Sequence, residues 1–200
     1  MLQETKLKID ERIACDALKD FQVYYLSRQE TQGGGIAIGI VKDLESTLIR
    51  EGKDQVEAMA VQVVIGELPC SIITAYGPQE NAPKEKKEKF WQFLQEEVLR
   101  ADLEGNGLIL QMDGNLHAGP GLVKNDPNPV NQNGKMFLEF LEQNPSLNVV
   151  NALDLCTGLI TRRRELDSKT EKSVLDFFVV NEKLRPFLKN MLIDEERNYC

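Results

Sequence analysis

The chain has 200 residues, 42% hydrophobic and 28% charged, which is the make-up of an ordinary globular domain and a length that fits one domain rather than two. Its 24 lysines and arginines against 32 aspartates and glutamates leave a net charge of −8. That balance excludes a polycation that coats nucleic acid or anionic membrane by charge alone, so any nucleic-acid contact has to be local. No stretch approaches the roughly 18 uninterrupted apolar residues of a membrane span, and Met1 to Asp10 is charged where a signal peptide has its apolar core. An intracellular protein, nuclear or cytoplasmic and with no membrane partner, is expected.

In chain order, Lys6 to Leu18 places Leu7, Ile13, Ala14 and Leu18 at helical spacing. Phe21 to Leu26 and Gly35 to Val41 are β-rich runs separated by Gln32-Gly33-Gly34, a turn signal, and together they predict a hairpin. Glu57 to Ile65 and Ser71 to Tyr76 predict a second hairpin around Gly66-Glu67-Leu68-Pro69. From Pro83 to Ala101, Phe90, Phe93, Leu94, Val98 and Ala101 form one apolar stripe on a charged helix, and Lys84, Lys86, Lys87 and Lys89 read as its solvated face. Gly107 to Met112 predicts a short strand, followed by a Pro-, Asn- and Gly-rich loop to Asn133 that is long enough to suggest function. A helix over Gly134 to Gln143, an extended Leu147 to Val150 and a last strand over Ser173 to Val180 complete the set. Hairpins mixed with strand–helix–strand units predict a layered α/β domain around a largely buried sheet.

Cysteines at 15, 70, 156 and 200 are too widely spaced for a zinc site and read as free thiols. The single histidine, His117, leaves little room for triads or imidazole metal sites. The chemistry that remains is built on carboxylates, amides and a divalent cation held by oxygen.

Asp113-Gly114-Asn115 follows an apolar strand, where an α/β layer opens its ligand crevice; alone, the triplet is also an ordinary Asp-Gly turn. Asp176 interrupts Val174-Leu175-Asp-Phe177-Phe178, and a carboxylate in such a run has to be paired, metal-bound or hydrogen-bonded. Tyr76 ends its strand beside Gly77-Pro78 and reads either as a half-buried core tyrosine or as a phenol at the crevice. Arg162-Arg163-Arg164 is expected in a loop beside the site, as phosphate-binding guanidiniums or as an exposed charge run next to Glu165 and Asp167.

Taken together, these segments resemble the endonuclease/exonuclease/phosphatase family, closest to the endonuclease domains of non-LTR retrotransposons. Leu2-Gln3-Glu4-Thr5 resembles its L-Q-E-T, Thr74-Ala75-Tyr76-Gly77-Pro78 its tyrosine segment, and Met112-Asp113-Gly114-Asn115-Leu116-His117 the G-D-F-N-x-H of the retrotransposon branch. Ser173-Val174-Leu175-Asp176-Phe177 is similar to S-x-I-D-x, with Thr161 about where a threonine precedes it.

The resemblance implies a four-layer α/β sandwich with mixed sheets and a Mg²⁺-dependent (Mn²⁺ as the alternative) phosphodiester hydrolase whose parent protein acts on DNA. It assigns the metal to Glu4, activation and placing of the attacking water to Asp113 and Asn115, phosphate contact to Tyr76, and the bracing of a histidine to Asp176. It places His117, Thr161 and Ser173 on the substrate side, to which the phosphate-binding reading of the arginine run adds Arg162 and Arg163. The family's terminal S-D-H and first strand are not in these residues. A single domain over 1–200, truncated at both ends and with its central strands at or next to those ends, is therefore expected. The competing expectations are a non-catalytic nucleic-acid-binding module on the same fold and a phosphatase for a small phosphate ester.

Overall fold

The computed structural model describes residues 1–3, 5, 18–27, 35–166 and 169–195. β2 (Phe21–Leu26) and β3 (Ile36–Val41) form the expected antiparallel hairpin, and β1 (Leu2–Gln3) pairs with the other edge of β3 in a three-stranded sheet. A larger sheet contains β4 (Ser46–Glu51), β5 (Glu57–Ile65), β6 (Leu68–Tyr76), β7 (Gly107–Asp113), β8 (Leu147–Val149) and, further along the chain, β12 (Asp176–Asn181). Its spatial order is β4-β5-β6-β7-β12-β8, with β6 and β7 parallel and every other neighbour antiparallel. The parallel pair is joined by α1 (Lys84–Glu104), which packs on one face of the sheet beside α2 (Gln132–Gln143).

Two cores follow from the period-two alternation of the strands. Ala58, Ala60, Ile73, Ala75, Leu108, Leu110, Met112, Phe177 and Val179 face the helices, where they meet the stripe Phe90, Phe93, Leu94, Val98 and Ala101. Trp91 stacks on Phe137 with ring centroids 5.9 Å apart, and Phe137 meets Phe177 at 5.0 Å. Met59, Val61, Val63, Cys70, Ile72 and Tyr76 face the other way, onto Ile36, Ile38 and Ile40 of the small sheet. The described residues thus build helix, sheet and sheet layers. The helix expected over Lys6 to Leu18 lies outside them except for Leu18.

The structure corrects several local expectations. The second hairpin turns on Gly66-Glu67 alone, with Gly66 at φ +65°, and Leu68 and Pro69 already belong to β6. Proline is tolerated there because β7 begins its pairing one residue later, so β6 has a single neighbour at Pro69. Lys87 is buried, its Nζ donating to the Glu80 carbonyl at 2.5 Å, because its position turns inward from the otherwise exposed helix face. The run expected as one strand over Ser173 to Val180 is broken at Val174-Leu175, with Ser173 ending β11 (Lys169–Ser173) and Asp176 opening β12. β11 pairs with β10 (Arg162–Leu166), so the arginine run is a strand and not a loop. Among the described residues the middle strands are β3 in the small sheet and β6 and β7 in the large one. A further short pair, β9 (Cys156–Thr157) with β13 (Met191–Leu192), runs parallel. Cys70 and Cys156 are free thiols, both pushed up in pKa by burial; Cys15 and Cys200 lie outside the described residues.

Candidate active site

The polar residues singled out from sequence gather where the parallel strands β6 and β7 end. Register places Tyr76 opposite Asp113 and Asp113 opposite Asp176, and on the other side of Tyr76 it places Glu57. Four neighbouring strands therefore contribute one row, Glu57–Tyr76–Asp113–Asp176, spaced at about 4.8 Å per strand. Residues in register share a face, and this row lies on the face turned towards the small sheet: the residues next to them in sequence, Ala58, Ala75, Met112 and Phe177, point to the helices. Asp176 is not inside an apolar strand, as its sequence neighbours imply, but is the half-buried first residue of β12. Glu57 escaped the sequence reading although it carries the same signal, a carboxylate at the edge of an apolar run, and it is only 7% exposed.

Backbone geometry aims Asp113. The Asn115 amide donates to Asp113 Oδ1 at 3.0 Å, closing a turn in which Asn115 adopts φ +45°, a left-handed conformation that asparagine tolerates better than most residues. The Asp113 carbonyl accepts from Gly77 N at 2.7 Å, and Gly114 N donates to the Leu175 carbonyl at 2.8 Å. A side chain at position 77 would put its Cβ 2.4 Å from the Gly114 oxygen, so glycine is required for this approach. Asn115 Nδ2 donates to the Gly77 carbonyl at 2.9 Å.

An asparagine clamp that the sequence did not reveal holds this loop. Asn133, 1% exposed, donates through Nδ2 to the carbonyls of Pro78 (2.8 Å) and Asn115 (3.0 Å). Asn131 caps α2 by accepting from Gly134 N at 2.8 Å, and its Oδ1 also takes His117 N at 3.1 Å. His117 is thus fixed by its backbone in the loop, with Nδ1 buried and without a hydrogen bond. The long loop that follows is packed rather than open: Leu116, Ala118 and Val123 join the helix-side core, and Asp126 accepts from Gly119 N and Asn128 N.

Thr161 sits beside Asp176 and acts on its backbone. Its Oγ1 accepts from Leu175 N at 2.9 Å and Asp176 N at 3.1 Å, and its own amide donates to the Ser173 carbonyl at 3.1 Å. Asn151, also unforeseen, grips the same strand by accepting from Phe178 N and donating to the Asp176 carbonyl. The arginines do not act as one cluster, because side chains alternate along β10: Arg162 and Arg164 are exposed on one face, while Arg163 turns to the other and pairs with Glu195 at 2.9 Å. Glu195 also accepts from Leu159 N and Ile160 N, and these amides, Ile160 first, together with Arg163 hold its carboxyl below the usual range.

The donors at these strand ends are carboxylate and amide oxygens, the chemistry a hard divalent cation prefers. Among the described residues no three His, Cys, Asp or Glu side chains converge as a metal centre. Glu4, the residue the resemblance gives to the metal, lies outside the described residues. An open groove of about 640 Å³ lies elsewhere, on the helix-covered face, where Arg50 stacks over Phe93 at 4.7 Å. Among the described residues no helix is long and apolar enough to cross a membrane.

No family model matches the chain, and no curated protein matches it by sequence. Solved structures do. The 3′-5′ exonuclease NExo from Neisseria meningitidis superposes with a TM-score of 0.64 at 18% identity, over 94% of this chain and 78% of that one. The endonuclease domain of TRAS1, a telomere-specific non-LTR retrotransposon, gives 0.59 at 16% identity, over 83% and 69%. D. rerio TDP2, solved with a single-strand DNA product, gives 0.52 at 12% identity, over 83% and 63%. These are proteins of one architecture, and the chain described here has the endonuclease/exonuclease/phosphatase fold.

Proposed function

We propose that this chain is a divalent-metal-dependent phosphodiester hydrolase, a DNA endonuclease of the retrotransposon type. The observation that carries the reading is the in-register row Tyr76–Asp113–Asp176 at the strand ends, with Asp113 fixed by the Asn115 amide at 3.0 Å. Phosphodiester hydrolysis places a water in line with the leaving oxygen while negative charge grows on the phosphoryl group. Asp113, aimed by the turn in which its Oδ1 takes the Asn115 amide, is the group that orients that water and takes its proton. Asn115 is held by Gly77 so that its remaining side-chain oxygen serves as a second acceptor for the water. Tyr76 offers its phenol to a non-bridging oxygen. Asp176, whose amide Thr161 fixes, stands on the far side of Asp113 as the partner for a cationic or imidazole group.

Mg²⁺ or Mn²⁺, with Glu4 as its assigned ligand, would neutralise charge on the phosphoryl oxygens as a Lewis acid. The reading assigns His117, Ser173, Arg162 and Arg163 to the substrate side; Arg162 is exposed, whereas Arg163 pairs with Glu195. The DNA substrate of this reading is supported by two of the solved neighbours, D. rerio TDP2 with a single-strand DNA product and NExo bound to a product DNA hairpin. A single domain over 1–200 belongs to the same proposal.

The test is nicking of supercoiled plasmid with Mg²⁺ and with EDTA, using Asp113→Asn as control. Chelator-sensitive nicking that disappears in the variant supports the reading. A folded chain that binds duplex without cutting it points to the non-catalytic module, and one that cleaves only a soluble phosphate ester points to the phosphatase.

A further inference from the structure

Glu57 has no part in the chemistry above, yet its carboxylate lies in a strand face that is otherwise apolar. Met59, Val61 and Val63 follow it on that face against the small sheet, and at 7% exposure it has given up nearly all contact with water. An apolar side chain there would avoid the several kcal/mol that burying a carboxylate costs, so the question is what the charge holds.

Glu57 Oε2 accepts from Gly35 N at 3.0 Å, across the gap between the two sheets. Gly35 adopts φ +84° and is so close to Thr5 that a Cβ would meet its Oγ1 at 2.6 Å. The Gly35 carbonyl in turn accepts from Thr5 N at 3.1 Å. Two residues earlier, Gln3 Nε2 donates to the Ala75 carbonyl at 2.9 Å, on the residue preceding Tyr76. The chain on either side of position 4 is therefore tied to the site end of the large sheet twice, directly through Gln3 and by way of Gly35 through Glu57. Glu57 also lies directly opposite Tyr76 in the β5–β6 register, so the tie is made in the same row as the proposed catalytic groups.

We propose that Glu57 is a positioning residue: its charge-assisted bond to Gly35 clamps the segment that runs out of β1 against the Tyr76 end of β6. The clamp is independent of the hydrolase reading; its consequence for catalysis rests on that reading.

Two arms keep the two ideas separable. Amide hydrogen exchange on the whole chain, comparing wild type with Glu57→Gln and Glu57→Ala, reads the clamp itself. Exchange at Gly35 and Thr5 should rise by about tenfold in the alanine variant, the value of a bond to a charged acceptor, and by less in glutamine, whose oxygen still accepts. Met59 and Ile73 amides should stay unchanged. Equal Gly35 exchange in all three proteins overturns the proposal, as does a rise in glutamine that Met59 and Ile73 share.

The second arm is plasmid nicking as a function of Mg²⁺. Glu57→Ala should raise the half-saturating Mg²⁺ concentration by about tenfold, as loss of a residue that orients a site does, with Glu57→Gln raising it by less, and both should leave KM for plasmid unchanged. A purely structural role would lower the maximum rate alone, and that result rejects the catalytic consequence. If wild type cuts nothing, the hydrolase reading fails while the exchange arm still decides the clamp.

Discussion

Replacing Thr161 by valine removes one oxygen and keeps the shape. That oxygen accepts two backbone amides, Leu175 N at 2.9 Å and Asp176 N at 3.1 Å, at the point where the chain leaves β11 and enters the row. Leu175 is 7% exposed, so its amide would lose its partner with little access to water, at about 1–3 kcal/mol; the Asp176 amide, half-buried, adds about 0.5–1 kcal/mol. The expected cost of Thr161→Val is therefore about 1.5–4 kcal/mol. Thr161→Ser keeps the oxygen and loses one methyl group, about 0.8 kcal/mol at most. Trp91 is the single tryptophan and sits in the helix-side core, so its fluorescence reports global unfolding in urea. With a slope of about 2 kcal/mol per molar, valine should lower the midpoint by about 0.8–2 M and serine by about 0.4 M at most. A valine midpoint within about 0.2 M of wild type, or a serine variant as weak as valine, would show that the threonine oxygen does not anchor this turn.

Gly134→Ala inverts the usual helix rule. Alanine gains about 1 kcal/mol in a helix interior, but its Cβ here would stand 1.9 Å from the His117 carbonyl oxygen. The loop bearing Asp113 and Asn115 then has to move, and a fall in Tm of about 4–8 °C is expected; an unchanged or higher Tm in a thermal melt refutes the packing argument. Glu195 sets a pH signature. Its carboxyl is held below the usual range by the Ile160 and Leu159 amides and by Arg163, so its contribution is present above the ordinary glutamate pKa of about 4.3 and is lost as pH falls through the lowered folded value. Wild type should exceed Glu195→Gln in urea midpoint at pH 6, with the gap closing below pH 4.3; a gap that persists at low pH contradicts it.

Much of the site was legible in the residues because strands carry their signal locally. Tyr76 and Asp113 each close an apolar run, and an abrupt change from buried to polar at a strand end is written in the sequence. The α1 stripe was equally legible, since spacing of three and four needs no knowledge of partners. Lys87 was not, because the sequence shows only that it stands among charged neighbours, whereas its burial depends on the Glu80 carbonyl folding back over it.

Alternation told which residues share a face of one strand but not which strands are neighbours. Only the spatial order β5-β6-β7-β12 puts Glu57, Tyr76, Asp113 and Asp176 in one row, across separations of 19 to 63 residues in the chain. The asparagine clamp and the split arginine run have the same origin. Asn133 reads as a loop residue until α2 brings it to Pro78 and Asn115, and Arg162 to Arg164 read as one charge run until β10 sends alternate side chains to opposite faces. The sequence by itself determined the apolar strands β2, β3, β5, β6 and β7, both helices and the polar residues at the ends of β6 and β7, because those depend on side chains a few positions apart; the polar strands β4, β10 and β11 carry no such local signal. The tertiary structure decided which of those ends meet, because register and sheet order are set by long-range hydrogen bonds and by packing of both sheet faces.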